Sequence, residues 1–469
     1  MAYKATIGLE IHAELKTKSK MFCSCKNDPD EKRPNTNICP VCMAHPGTLP
    51  VINKEAVRHI LKVGLATGGS LSLDFSEFDR KNYFYPDIPK GYQISQYKNP
   101  LVSGGELCGV KITRIHLEED TARSIHIEER EEAYSLVDFN RAGVPLLEMV
   151  TEPVLHSSEE VVKFCEELQI LLQYLGVADA NMEKGEMRLE ANISVSSTDK
   201  FGTKVEVKNL NSFRSAERAI EYEIKRQIEL LEDGGSVKQE TRGWDEKRQV
   251  TFSQRSKEDS HDYRYFPDPD LPKLELHRLE DFKEESLRTQ IKETPAEKRS
   301  RLKKDYGIKE SDVDFYISNI EAGKLFESAA GGLESKDFQL LSNYVVSDIT
   351  SLGERAFSIK PEALAAVVKM INKGELSSRG AKNIIQALAE KGGDPMEIAQ
   401  KEGLIQKNDE AELISVVKKV IADNPKVVEE YKTGKLAAIQ FLVGQSMKET
   451  KGAANPSLLK DLIIKLLAL

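Results

Sequence analysis

No stretch of this sequence approaches the roughly 18 consecutive apolar residues that a membrane-spanning helix needs. The opening segment carries acid by Glu10 and has no long apolar core, so it does not read as a secretory leader. Cysteine is scarce. Four of the six fall between positions 23 and 42, and Cys108 and Cys165 stand alone, whereas a disulfide scaffold would spread its staples along the chain. Positive charge is not in surplus either: 67 Lys and Arg face 76 Asp and Glu, for a net charge of −9. That excludes a protein that coats nucleic acid by total charge, but not one with a local basic face. There is no Walker A loop, no dinucleotide glycine fingerprint and no nucleophile elbow. Any nucleotide phosphates are therefore held by something other than a standard P-loop. What is present, 40% hydrophobic and 30% charged residues over 469 positions, is the balance of a folded chain of several domains. A soluble, cytoplasmic protein without membrane association is expected.

The hydrophobic pattern changes period along the chain. In residues 5–15, Ile7, Leu9, Ile11, Ala13 and Leu15 alternate with Gly8, Glu10, His12 and Glu14, the signature of a half-buried strand with an acid-bearing outer face. Residues 187–195 repeat it, with Arg188, Glu190, Asn192 and Ser194 outward. Residues 134–139 and 203–208 also suit strands. Two helices interrupt them. One spans about 158–175, with a Ser157/Glu160 capping box and Gly176 past its end. The other spans about 213–232, capped by Asn211 or Ser212. From Thr294-Pro295 onward strand signals nearly vanish. The expected architecture is α+β: a mixed or antiparallel sheet body over 1–292, then all-helical modules over 293–405 and 406–469.

Two constellations carry chemistry. Cys23-x-Cys25 and, after thirteen intervening residues, Cys39-x-x-Cys42 offer four thiolates to one tetrahedral ion, for which Zn²⁺ fits best. With all four positions filled by protein, that site is structural. Pro40 and Asn35-Thr36-Asn37 suit its knuckle loop. The second is acidic: Glu10 and His12 share a strand face, and further acids stand at Glu118-Glu119-Asp120 and Glu148. They could converge on Mg²⁺, or be solvated or paired with Arg114, Arg123 and Arg141. Asp79 through Asp87 is dense in aromatic and basic residues and could place Lys81 near an anion.

Longer motifs identify a resemblance. Ile7-Gly8-Leu9-Glu10-Ile11-His12-Ala13-Glu14-Leu15, the Asp79–Asp87 segment, Leu136 through Glu148, Phe201-Gly202-Thr203-Lys204 with Lys208 through Ser212, Asp262 through Pro267, and Gly444 through Pro456 resemble, in order and over essentially the whole chain, the B subunits of aspartyl/glutamyl-tRNA(Asn/Gln) amidotransferases. The resemblance implies ATP-dependent correction of misacylated Glu-tRNA(Gln) or Asp-tRNA(Asn). The side-chain carboxylate is phosphorylated, and ammonia then displaces the phosphate. It implies ATP, Mg²⁺ and structural Zn²⁺ as cofactors. It also implies an amidase A subunit and a small C subunit as partners in a heterotrimer, with tRNA bound by the helical modules and the C-terminal tail.

Residue by residue, the resemblance places the metal and catalytic site on Glu10, His12, Glu119 and Glu148, with Glu118 a rival to Glu119. It places an ammonia channel along Lys81, Lys90 and Glu119. Arg188, Glu190 and Asn192 could contact nucleotide or acyl group, and Arg379, Lys382, Lys448 and Lys451 are candidate tRNA contacts. No Ser/Lys amidase signature occurs, so glutamine hydrolysis is expected on another chain. A branch of the family that carries an inserted synthetase-like domain is disfavoured, because the sheet body over 1–292 runs directly into the helical region. A different class, a zinc-bearing tRNA scaffold without chemistry, would leave Glu10, His12, Glu119 and Glu148 dispensable.

Overall fold

The computed structural model describes residues 3–129, 132–256, 263–406, 410–433, 435, 437–450 and 454–467. They form two units, Met1–Pro295 and Ala296–Leu469. A ten-stranded sheet organises the first. In spatial order its strands are β14 (Val250–Ser256), β13 (Glu240–Asp245), β12 (Val205–Leu210), β11 (Met187–Ser196), β1 (Lys4–Glu14), β10 (Pro145–Thr151), β7 (Val110–Glu119), β5 (Val102–Ser103) and β2 (Ser70–Leu71), with β6 (Glu106–Leu107) also on β7. All neighbours are antiparallel except β12 and β13. The sheet is therefore mixed, and the fold is α+β. Beside it lie a three-stranded sheet, β15 (Phe266–Pro267), β3 (Asp79–Asn82) and β4 (Tyr92–Ser95), and a hairpin of β8 (Arg123–Glu129) and β9 (Glu132–Asp138).

The alternation in the sequence sorts the two faces of the large sheet. Ile7, Leu9, Ile11 and Ala13 of β1 are buried in one core with Leu189, Ala191 and Ile193 of β11. Three helices close that core: α1 (Lys54–Ala66), α2 (Ser158–Tyr174) and α3 (Phe213–Glu232). Helix α1 lies outside the two that capping signals revealed. Its cap is Asn53, whose side chain accepts from the amides of Glu55 and Ala56. Ser157 caps α2 through Glu160 N–H, and Ser212 caps α3 through Ser215 N–H. Glu160 reaches back to the amide of His156 rather than that of Ser157, so the capping box closes one residue early. Gly176 ends α2 at φ 65°, a conformation that costs a side-chain-bearing residue.

The second unit, Ala296–Leu469, is helical. Among its described residues the only strand-like pairing is one bridge between Leu376 and Ile405. Helices Glu410–Asp423, Ala438–Glu449 and Pro456–Leu467 bury their own apolar cluster around Leu413, Val417, Leu442, Leu459 and Ile463. No helix among the described residues is long and apolar enough to cross a membrane.

Candidate active site and metal centre

The face of the sheet opposite the helices carries the polar positions of four adjacent strands. Register sets which of them meet. His12 on β1 lies opposite Glu148 of β10 on one side and Arg188 of β11 on the other. Glu10 lies opposite Glu190, and Glu148 opposite His116 of β7. The result is a compact group around the His12 ring. Its Nε2 stands 3.4 Å from Glu148 Oε2, 3.5 Å from Glu118 Oε1 and 3.9 Å from Glu10 Oε1. One ligand atom each from Glu10, His12 and Glu148 falls within 4.8 Å of the others, and the same holds for His116, Glu118 and Glu148.

The electrostatics of this group are those of acids that are short of positive charge. Burial, with Glu148 and Glu190 nearby, pushes the Glu10 carboxyl up to about 7. Burial opposes a charge on His12, but hydrogen bonds to Glu118 and Glu148 outweigh it and raise the imidazole well above its ordinary value. Burial likewise opposes a charge on Glu148, and contact with His116 and His12 overcomes it and holds that carboxyl well down. Lys81 of β3, half-buried, is raised well above the usual lysine range: burial works against its charge, and Glu118, Glu148 and Glu10 more than compensate. Protons on Glu10 and His12 thus do part of the balancing. A divalent cation could replace them, because metal ligands of these types bind deprotonated. The donor set fits that exchange, with three carboxylates and one imidazole. Glu118 Oε2 is buried and has no hydrogen-bond partner among the described residues. Oxygen-rich sets suit Mg²⁺, which completes its shell with water and phosphate oxygens.

Glu119 does not join this group. Side chains on a strand alternate, so Glu118 and Glu119 point to opposite faces, and Glu118 is the one that shares the face with Glu148. Glu119 instead takes a 2.6 Å hydrogen bond from Lys90 Nζ and a 3.0 Å bond from the Ile94 amide. The Lys90–Glu119 pair lines a cavity of about 260 Å³ together with Cys42, Arg80, Tyr92 and Gly143. Lys81, grouped with them by the resemblance, is not part of that lining. Its Nζ lies 5.1 Å from the centre of the Tyr263 ring.

The remaining polar positions are paired. Arg188 Nη1 is 2.9 Å from Asp120 Oδ2, and Lys208 Nζ is 2.8 Å from Glu190 Oε2. Asn192, on the same face, lies beside Glu206 in register. Of the arginines that could have neutralised the acids, Arg114 reaches Glu148 at 3.4 Å and Arg141 reaches Asp120 at 3.6 Å, whereas Arg123 goes to Asp30. His116 is the neighbour that motif reading missed. The signal was there: Arg114, His116 and Glu118 alternate with buried Ile115 and Leu117 just as Glu10 and His12 alternate with Leu9 and Ile11.

The four cysteines converge. Their sulfurs lie within 4.8 Å of one another, and Cys39 and Cys42 are 3.8 Å apart, the edge of a tetrahedron with metal–sulfur bonds of about 2.3 Å. Crowding makes the thiols compete for protons. A bond to Cys42, then burial, pushes Cys23 up, and burial and Cys39 push Cys25 up to about 11. The bond from Cys23 brings Cys42 down to about 5. A divalent ion resolves that competition, so the set fits Zn²⁺. The knuckle loop is seated on the chain between β9 and β10. Asn140, fully buried, accepts from the amides of Thr36 and Asn37 at 2.8 Å each and donates to Arg33 O at 2.8 Å. Gly143, at φ 84°, accepts from the Met21 amide.

Comparison with known proteins decides the family. Residues 5–280 match the GatB/GatE catalytic domain, and residues 324–467 match the GatB domain. The chain is 46% identical to the B subunit of the aspartyl/glutamyl-tRNA(Asn/Gln) amidotransferase from Caldicellulosiruptor saccharolyticus, over 99% of this chain and 98% of the relative. It is 44% identical to the corresponding protein of Carboxydothermus hydrogenoformans, over 99% of both chains, and 43% identical to that of Crocosphaera subtropica, over 99% and 98%. The chain belongs to the GatB family.

Within this GatB-family chain, the catalytic-domain match takes in every strand described above but for Lys4, the first residue of β1. The other match lies wholly in the helical unit. There Arg379 and Lys382 are exposed in the first turns of helix Ser378–Lys391, and Lys382 Nζ contacts Asp348 at 2.7 Å. Lys448 closes helix Ala438–Glu449. Lys451 lies outside the described residues, as does Asp262, the first residue of the Asp262–Pro267 motif.

Proposed function

We propose that this chain is the tRNA-binding, transamidating subunit of an aspartyl/glutamyl-tRNA amidotransferase. On this reading it phosphorylates the side-chain carboxylate of Glu-tRNA(Gln) or Asp-tRNA(Asn) with ATP and passes ammonia to the acyl phosphate. The observation that carries the reading is the Glu10–His12–Glu118–Glu148 group beside Lys81, its two inner acids buried and Glu10 and His12 half-buried, on a chain related along its whole length to B subunits. A free carboxylate is a poor acyl donor. Transfer of the γ-phosphoryl group gives it a leaving group. Ammonia then adds at the carbonyl, phosphate departs, and the amide nitrogen sheds a proton to solvent.

In this scheme Mg²⁺, held by Glu10, His12, Glu118 and Glu148, would offset phosphate charge during transfer. Lys81 adds a fixed positive charge beside the same carboxylates. Arg188, Glu190 and Asn192 border the site on β11 and would contact nucleotide or acyl group. Lys90 and Glu119 form a polar wall along which ammonia could arrive from an amidase A subunit, with a small C subunit completing a heterotrimer. Zn²⁺ on Cys23, Cys25, Cys39 and Cys42 holds the knuckle. Arg379, Lys382, Lys448 and Lys451 offer phosphate contacts to tRNA. The domain division 1–292, 293–405 and 406–469 follows these roles, and the setting is the cytoplasm.

The test uses the full-length chain with its amidase partner, the amidase nucleophile disabled, and ammonia supplied directly. Conversion of Glu-tRNA(Gln) to Gln-tRNA(Gln), with ADP formed and lost in Glu148→Gln, is expected. Binding of tRNA without ADP under any condition would mean that the chain is a scaffold.

A further inference from the structure

His116 plays no part in the motifs that suggest the function, yet it sits against the carboxylate on which the site turns. It is 2% exposed and lies opposite Glu148 in the β7–β10 register. Its Nε2 is 3.4 Å from Glu148 Oε2 and 3.4 Å from Ser95 Oγ on β4. Its Nδ1 is buried without a hydrogen-bond partner among the described residues. A ring proton on Nδ1 would be orphaned there, so the geometry calls for the proton on Nε2, which Glu148 Oε2 and Ser95 Oγ face at equal distance and where the charged carboxylate is the stronger acceptor. Glu148 Oε2 thus rests between two imidazoles, His12 at the open side and His116 at the sheet side. Its other oxygen is 3.4 Å from Arg114.

We infer that His116 is a positioning residue for Glu148: through its Nε2–H it fixes the carboxylate in the orientation that faces Glu10 and His12, and so sets the affinity of the site for a divalent cation. His116 itself has no route to substrate, being walled in by Glu148, Ser95 and the strand core. Groups of this kind, one contact removed from the ligand atoms, typically change metal affinity by about 10–100-fold when lost. The inference rests on the proposed function only in taking Glu148 as part of the cation site.

The experiment compares two variants of equal polarity and different reach in the full-length chain. The amide nitrogen of Gln can occupy the place of Nε2, whereas that of Asn stands where Nδ1 does. Mn²⁺ binding is titrated by electron paramagnetic resonance, a readout independent of turnover, alongside thermal melts and the Mg²⁺ dependence of ammonia-supported amidation. His116→Asn should weaken Mn²⁺ binding by roughly tenfold or more, and His116→Gln should recover most of it. The concentration of Mg²⁺ needed for half-maximal rate should shift in parallel while the rate at saturation changes less. His116→Leu serves as the apolar control. Glu148→Gln is measured beside them. If it has lost Mn²⁺ binding while His116→Asn keeps wild-type affinity, or if the Gln and Asn variants are equally impaired, the positioning role is wrong. If Glu148→Gln binds Mn²⁺ as the wild type does, the cation-site reading itself has failed.

Discussion

Glu14 offers the sharpest test of the electrostatic reasoning, because one substitution should change the shape of a stability curve. Burial and the neighbouring Asp120 carboxylate raise Glu14 from its ordinary 4.5 to about 8, against the pull of Arg188 and Arg141. The folded state therefore binds a proton that the unfolded chain releases near pH 4.5. That contribution is intact below pH 4.5 and is lost as pH rises towards about 8. Each tenfold difference in proton affinity is worth about 1.4 kcal/mol, so complete ionisation would cost about 5 kcal/mol. About half of that falls between pH 6 and pH 8.5. Glu14 is only partly shielded from solvent, so we expect about 1–2 kcal/mol over this interval. Glu14→Gln keeps a donor for Asp120 and cannot titrate. The assay is urea unfolding at pH 6 and pH 8.5, followed by the fluorescence of Trp244. This is the one tryptophan of the chain, and it is buried in the sheet-bearing unit, so its signal reports that unit. The wild type should lose about 1–2 kcal/mol more than Glu14→Gln between the two pH values. Parallel losses, or a steeper loss in the variant, would show that Glu14 and Asp120 do not share a proton in the folded state.

Three further outcomes follow from the same structure. The isolated chain should hold about one zinc, measured by plasma mass spectrometry, and Cys42→Ser should lose it together with part of its Trp244-reported stability. Asn140→Ala removes five bonds from a fully buried side chain, among them those to the amides of Thr36 and Asn37, so a loss of about 2–4 kcal/mol in the same urea assay is expected. Lys90→Met leaves Glu119 buried without its ammonium partner. If that pair lines the ammonia route, glutamine-supported amidation should fall roughly tenfold while ammonia-supported amidation changes little.

How far the sequence reaches differs from one element to the next. The period-2 pattern of Ile7 to Leu15 was enough to put Glu10 and His12 on the solvent-side face of a strand, because a strand with one buried face has no other register available. Ser157 and Ser212 announced their helices through local hydrogen bonds that need no tertiary context. The thiolate cluster was legible from spacing, since four cysteines within twenty residues can close on one point. Helix α1 was missed: its cap, Asn53, follows Pro50-Val51-Ile52, and the stretch between the knuckle and Lys54 gives no periodic lead-in.

The choice between Glu118 and Glu119 marks the limit. They are adjacent in sequence and identical in chemistry, and no local rule separates them. Which one faces His12 depends on how β7 registers against β10, a pairing of residues about thirty positions apart. The same register brings His116 behind Glu148 and leaves Glu119 to Lys90. By itself the sequence determined which residue types are available, which faces of which strands they occupy and where the helices take over, because periodicity and capping are properties of neighbouring residues. Only the tertiary structure decided which acids meet, since that is a property of strand order and register, and a shift of one residue exchanges every side chain between the two faces of the sheet.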